Sequence, residues 1–435
     1  MKLSRRRTLL TTSLVAVFAA NSSTFAQEAA PTCSEEAQGA RISYWNGFSG
    51  PDGQPMANLI ERFNSENSSD IQVTMTVQPF TEYYNTLNAA TASNTLPDVL
   101  QIHVDQIPTN AVRGVIRPIP EDVLANMNVD GSDFPEAIWT ATEYNNERYA
   151  IPLDINGMVM WYNQSQWEQA GLEDPAGRVL TREEYDAALQ ALQESNGEAM
   201  AWSVTNGYPI ARMFEILLHQ FGGSWLNEDA TEATWNSEAG VQALQYLKDQ
   251  QAAYAEPNLS VDAGITAFKQ GNSATEWNGT WQFSNLTGEG FQDGWGAPIP
   301  QVGSQYVVVQ GAHNLALGAN GEDPAKTAAA ACLISFISEN SLEWVQGAGH
   351  IPARNSVRES EEFQSTQPQA SYAIMADNAI FLPSVPGIAD VTAHLTQAVE
   401  AVMAEENPDI QAALNESAAR ANQVLEQNSR RYGSQ

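Results

Sequence analysis

Between Arg41 and Ile102 the chain switches hydrophobic period from one short segment to the next, and few architectures accept that alternation. Arg41 to Tyr44 reads as a strand running into a loop dense in turn formers, Trp45-Asn46-Gly47-Phe48-Ser49-Gly50-Pro51-Asp52-Gly53. Met56, Leu59, Ile60 and Phe63 then share one helix face. Ile71 to Val77 alternates as a second strand, Tyr83 to Ala92 returns to helical spacing, and Asp98 to Ile102 is a short buried strand. Strand, helix, strand, helix, strand is the pattern of parallel α/β construction. Further strands are expected at Arg148 to Pro152, Gly157 to Tyr162 and Tyr306 to Val309. Helices are expected at Arg182 to Glu194, Ile210 to Phe221, Glu238 to Ala253, Lys326 to Ser338 and Ile388 to Glu405. No internal repeat and no low-complexity linker interrupts the pattern, so any division into lobes must be made by strands that cross over.

The N-terminus is set apart from this pattern. Lys2, Arg5, Arg6 and Arg7 form a basic start, an apolar run extends from Leu9 to Ala20, and Thr24-Phe25-Ala26 offers small residues at −3 and −1. These are the marks of a cleaved export signal ending at Ala26. The apolar run falls short of the about 18 residues a membrane span requires. Ser4-Arg5-Arg6-Arg7-Thr8-Leu9-Leu10 is similar to a twin-arginine signal, although Thr8 stands where that pattern favours an aromatic residue, so Sec export remains open. Residues 27–40 are small and acidic and read as a flexible leader. Removal of the first 26 residues leaves 409, long for one compact core and comfortable for two lobes.

Charge narrows the partners. The chain carries 20 Lys and Arg against 52 Asp and Glu, and its formal net charge of −32 becomes −36 without the basic leader. Such a surface repels nucleic acid and anionic membranes. Adaptation to high salt and a merely soluble, solvated surface both account for the acids. Cys33 and Cys332 admit either a disulfide, in an oxidising compartment, or a buried thiol within the apolar run Ala328 to Ile337. Ala30-Pro31-Thr32 ahead of Cys33 is no lipobox, so no lipid is expected there.

Signatures of catalysis are absent: there is no GxxxxGK[ST], HExxH, CxxC or GxSxG, and His103, His219, His313, His350 and His394 lack metal-ligand spacing. No cofactor and no metal is called for. A secreted carbohydrate-active enzyme stays open only because 52 acids always contain some carboxylate pair. The aromatic content is more pointed. Several of the 11 tryptophans sit among small polar residues, as in Trp45-Asn46-Gly47 and Trp277-Asn278-Gly279-Thr280-Trp281. A sugar ring, with its face of C–H groups and rim of hydroxyls, needs a flat aromatic platform beside amides or carboxylates.

Ala267-Phe-Lys-Gln-Gly-Asn-Ser-Ala-Thr-Glu-Trp-Asn-Gly-Thr-Trp281 resembles the AF-xx-G-xx-A-xxx-G-xW segment of extracellular solute-binding proteins of the maltose-binding class. Leu96-Pro97-Asp98-Val99, Trp161-Tyr162-Asn163 with Ala170-Gly171-Leu172, Gly349-His350-Ile351-Pro352-Ala353-Arg354, and Pro408 with Ala412-Ala413-Leu414 resemble further segments of that family, in family order. Gln164 departs from the family's usual Lys. The resemblance implies a two-lobed periplasmic-binding fold of α/β lobes joined by hinge strands. Residues 41–153 plus 312–354 would form one lobe, 154–311 plus 355–425 the other, and 426–435 a tail. It also implies a monomer that closes over a small ligand, a carbohydrate or polyol, and delivers it to the permease of an ATP-driven (ABC) importer. Glycerol phosphate, a polyamine, or presentation to a receptor are the alternatives.

By the same resemblance Trp281 would be the stacking platform, with Trp277, Asn278 and Gly279 on its wall. Asn46, Phe48 and Ser49 occupy the loop that reaches ligand, where Phe48 would stack or merely plug the core. Asp105 matches a ligand-binding carboxylate position, Tyr83 is either core or cleft, and Asp154 and Asn156 lie at the first hinge crossing. Tyr208 and Arg212 fall near a ligand-contacting segment. Gly311 and His313 mark the second crossing, His313 as a ligand contact or as an interlobe histidine.

Overall fold

The computed structural model describes residues 33–50, 52–197, 199–287, 293–321 and 323–433, and the expected export signal lies outside them. The first strands are β1 (Arg41–Asn46), β2 (Gln72–Val77), β3 (Val99–His103) and β4 (Ile116–Arg117), followed by the hairpin β5 (Glu143–Tyr144) and β6 (Glu147–Arg148). Next come β7 (Ala150–Pro152), β8 (Asp154–Asn163), β9 (Met200–Ser203), β10 (Ser273–Gly279) and β11 (Gly294–Ala297). The last are β12 (Val308–Gly311), β13 (His313–Gly318), β14 (Ile351–Pro352) and β15 (Ala379–Ile380).

Two sheets organise these strands. The first has the order β2-β1-β3-β13-β4, with β7 also on β13. Its β1, β2 and β3 are mutually parallel, as the alternation predicts, while β13 enters antiparallel to β3. The second has the order β15-β12-β8-β10-β9, with β11 and β14 also on β8. The chain passes from the first sheet to the second between Pro152 and Asp154, and returns between Gly311 and His313. No flexible tether is involved. β8 is the spine of the second sheet, and all ten of its residues are buried. A strand covered on both faces has no polar side, which is why its sequence shows no alternation.

The helices form for legible reasons. Met56, Leu59, Ile60 and Phe63 are the buried face of the helix Gly53–Glu66, each contributing about 1.5–3 kcal/mol by leaving water. Thr181 and Glu184 close a capping box on the helix Arg182–Ser195. Asp323 caps the helix Pro324–Glu339, where proline at the start needs no N–H partner. The helix expected from Tyr83 begins at Phe80. The last helix, Ile410–Tyr432, continues through most of the expected tail, because Leu425 is buried and Arg113 donates to the Tyr432 hydroxyl. Cys33 and Cys332 are bonded, tying the segment before β1 to the helix Pro324–Glu339. Among the described residues, no helix is long and apolar enough to cross a membrane.

Candidate functional site

A cleft of about 600 Å³ opens where the two sheets meet. On the first-sheet side it receives the loops that leave the carboxyl ends of β1 and β3, bringing Gly47, Ser49, Asp52, Val104, Asp105 and Gln106. Parallel strands whose connections diverge leave such a crevice at those ends. Phe80 and Tyr84, one turn apart on the helix Phe80–Ser93, complete that side with His103. Gly47 is glycine because a Cβ there would run into the Phe80 ring.

The floor is made by the crossing strands, with Asn156 from β8, Gln310 and Gly311 from β12, and His313 from β13. Beneath it Asp154, fully buried, is the hub of a polar network. Its Oδ1 accepts from the His313 backbone N–H (3.0 Å) and from Asn156 Nδ2 (2.9 Å). Its Oδ2 accepts from Trp344 Nε1 (2.7 Å) and lies 2.8 Å from His313 Nδ1. Burial by itself would raise this carboxyl, but His313, His350 and the hydrogen bonds from His313 outweigh it and hold Asp154 well below the usual carboxylate range. Burial pushes His350 down to about 4 and His103 down to about 3, so both are neutral near pH 7. Asp154, His313 and His350 bring ligand atoms within 4.8 Å of one another. The Asp154 oxygens are already occupied by N–H groups, however, so the cluster is built as a strut tying the two crossings together and not as an ion cage.

The opposite wall comes from the second sheet. β10 ends at Gly279, and Trp281 follows two residues later, its indole lying over Gly279, where a Cβ would collide with it. Tyr208, at the start of the helix Tyr208–Gln220, places its ring 5.7 Å from that of Trp281 and is 46% exposed. Arg212, one turn on, donates from Nε to the Tyr208 hydroxyl (3.1 Å) and pairs with Glu215 at 2.6 Å. Gln282 and Asn285 extend the wall with amides. Burial raises the carboxyls of Asp105 and Asp52; hydrogen bonding to Gln106 and the charge of Arg212 oppose this at Asp105, and His313 opposes it at Asp52. On the first-sheet side His103 Nδ1 is 2.6 Å from the Tyr84 hydroxyl, which accepts from the His103 backbone N–H. The site offers aromatic faces, amides and carboxylates at close quarters, which suits a polar solute with an apolar face.

Of the residues named from sequence, the cleft brings together Trp281, Tyr208, Arg212, Asp105, Ser49, Asn156, Gly311 and His313. A Cβ on Gly311 would sit 2.8 Å from Asn156 Oδ1, so glycine keeps the floor open. The others stand behind the walls. Trp277 is fully buried, 5.7 Å from both the Tyr185 and Trp202 rings. Asn278 donates to Glu276 (2.6 Å), and Gly279 is the last residue of β10, its carbonyl accepting from Trp161 Nε1. Asn46 accepts from the Phe48 N–H, and Phe48 is a plug 4.5 Å from Trp344 and 5.0 Å from His313. Tyr83 spends its hydroxyl on the Trp45 and Gln101 carbonyls, and Asp154 lies below the floor. Sequence reasoning missed Phe80, Tyr84, His103, Gln310 and Asp52; the Phe80 and Tyr84 pair at i, i+4 was the signal available for two of them.

Residues 58–370 match the family model described as bacterial extracellular solute-binding protein. An arabinooligosaccharide-binding protein of Halalkalibacterium halodurans is 25% identical over 218 residues, a little under half of each chain at 49% of this one and 47% of that. The sn-glycerol-3-phosphate-binding periplasmic protein of Pectobacterium atrosepticum is 24% identical over 362 residues, 76% of each. In structure, the sugar-binding protein MalE of Xanthomonas citri superposes with a TM-score of 0.77 at 18% identity, covering 91% of this chain and 100% of that one. The likeness shows the two-lobed α/β architecture of such binding proteins. With the family model spanning well over half its length, the chain belongs to the bacterial extracellular solute-binding family.

Proposed function

We propose that this chain, acting outside the cytoplasm, captures a small saccharide or related polyol in the cleft and hands it to the permease of an ATP-driven importer. The observation that carries the reading is the pairing of Trp281 and Tyr208 on one wall with Asp105 on the facing one and with Asn156 and Gln310 on the floor. An aromatic plane takes the C–H face of a sugar, and the polar groups take its hydroxyls. The named ligands of the arabinooligosaccharide-binding and MalE relatives support it. The lobes would divide where the chain crosses between sheets, residues 41–153 plus 312–354 against 154–311 plus 355–425. Ligand touching both would favour the closed form by its differential affinity. The chain would act as a monomer, perform no catalysis and need no cofactor.

A thermal-shift screen of the chain lacking residues 1–26 tests the reading. A ligand bound only to the folded form raises Tm by mass action, about 2.7 kcal/mol of stabilisation at a hundredfold excess over Kd. A rise with one class of saccharide and no product after incubation is expected. Hydrolysis of that saccharide would move the chain to the carbohydrate-active enzymes, and a rise with polyamines alone would overturn the ligand.

A further inference from the structure

Resting on the solute-binding reading, we infer that Glu215 sets the charge selectivity of the cleft: by engaging Arg212 it tunes the site to uncharged polyhydroxylated solutes and excludes phosphate-bearing ones. Among the described residues, Arg212 is the one Lys or Arg on the cleft lining. Arginine recognises phosphate through two parallel N–H donors, either from Nε with one Nη or from both Nη nitrogens. Here Nε donates to the Tyr208 hydroxyl (3.1 Å), and Nη1 is held in ion-pair contact with Glu215 Oε2 (2.6 Å). Each of the two edges thus has one nitrogen in polar contact, Nε through a hydrogen bond and Nη1 through the opposite charge of Glu215.

Glu215 itself stands behind the wall, 4% exposed, three residues along the same helix face from Arg212. A phosphate entering the cleft would have to draw Arg212 away from a buried carboxylate, leaving that charge without its partner. It would also approach the carboxyls of Asp105 and Asp52 on the facing side. A neutral solute faces neither cost. It finds those same carboxyls ready to accept hydroxyl protons. The charged and titratable groups around Glu215 are Arg212, Tyr208 and Asp105, with His219, whose Nδ1 is 2.8 Å from the Glu215 carbonyl. Burial raises Glu215 while Arg212 opposes it, and burial pushes His219 down to about 4, so His219 is neutral near pH 7.

The experiment is calorimetric titration with bis-glycerol phosphodiester, an anion whose single charge does not change between about pH 5 and about pH 8. The wild-type chain should show no saturable binding near pH 8. Glu215→Gln, checked for its fold by circular dichroism, should gain it, with affinity rising on the order of tenfold or more. A second measurement needs no variant: wild-type binding of the phosphodiester should strengthen as pH is lowered, the direction in which the raised carboxyls of Glu215 and Asp105 take up protons. Saturable wild-type binding near pH 8 that Glu215→Gln leaves unchanged would overturn the inference. So would the absence of binding in the variant together with wild-type binding that does not strengthen as pH is lowered, which would assign exclusion to shape. Either result leaves the capture of saccharide standing, since that is read independently in the thermal screen.

Discussion

Glu276 lies in the middle of β10 with no exposed surface, and its carboxylate accepts from Asn278 at 2.6 Å. Burial lifts its pKa to about 7, with the hydrogen bonds from Asn278 and Ser203 opposing. A carboxyl whose folded pKa lies above its unfolded value favours the folded state while protonated, and that contribution disappears as pH rises through the folded pKa. Glu276→Gln should therefore raise Tm more at about pH 8 than at about pH 5, by up to about 3 kcal/mol of stability. Urea denaturation at the two pH values reads it; an equal effect at both would contradict the assignment. Nothing in the sequence marks Glu276, because burial of an acid is a tertiary property. The same limit separates Tyr83 from Tyr84. Both fit the helix, but only the fold decides that Tyr83 bonds the backbone of β1 and β3 while Tyr84 lines the cleft. Trp281 was named through the resemblance of its Gly-x-Trp segment to that of the family, and the fold adds the steric reason for Gly279, over which the indole lies.

At the scale of elements, the early βαβαβ run was legible because its periods change cleanly, and β1, β2 and β3 pair in parallel accordingly. β10 carries no such signal. Ser273, Thr275, Glu276, Trp277 and Asn278 are all buried, so polar and apolar residues do not alternate and the strand cannot be read from pattern. The site residues behind the walls follow from this, since Trp277 and Asn278 lie within that strand while Trp281 lies just beyond it. The bond between Cys33 and Cys332 acts on elements as well, closing a loop across a sequence separation of 299. A closed loop restricts the unfolded chain, and removing such a bond costs about 2–5 kcal/mol. Replacing both cysteines with serine should lower Tm in the same measure as reduction of the wild type. A reductant that leaves Tm unchanged would show that the bond contributes nothing.

Across the whole molecule, an acidic surface surrounds a cleft whose only Lys or Arg among the described residues is already paired. The polar strut of Asp154, His313 and Trp344 runs between the two chain crossings, and Asn156 and Gly311 rise from it into the cleft. A solute on the floor thus touches the residues about which the sheets would turn. The central claim, capture of an uncharged saccharide against the Trp281 platform, is tested most directly by calorimetric titration of the best saccharide from the thermal screen into wild type and Trp281→Ala. The predicted result is one saturable site in the wild type, weakened about tenfold to a hundredfold in the variant, as the loss of a buried aromatic face requires. Equal affinity in the two proteins, or no saturable binding of any saccharide by the wild type, would contradict it.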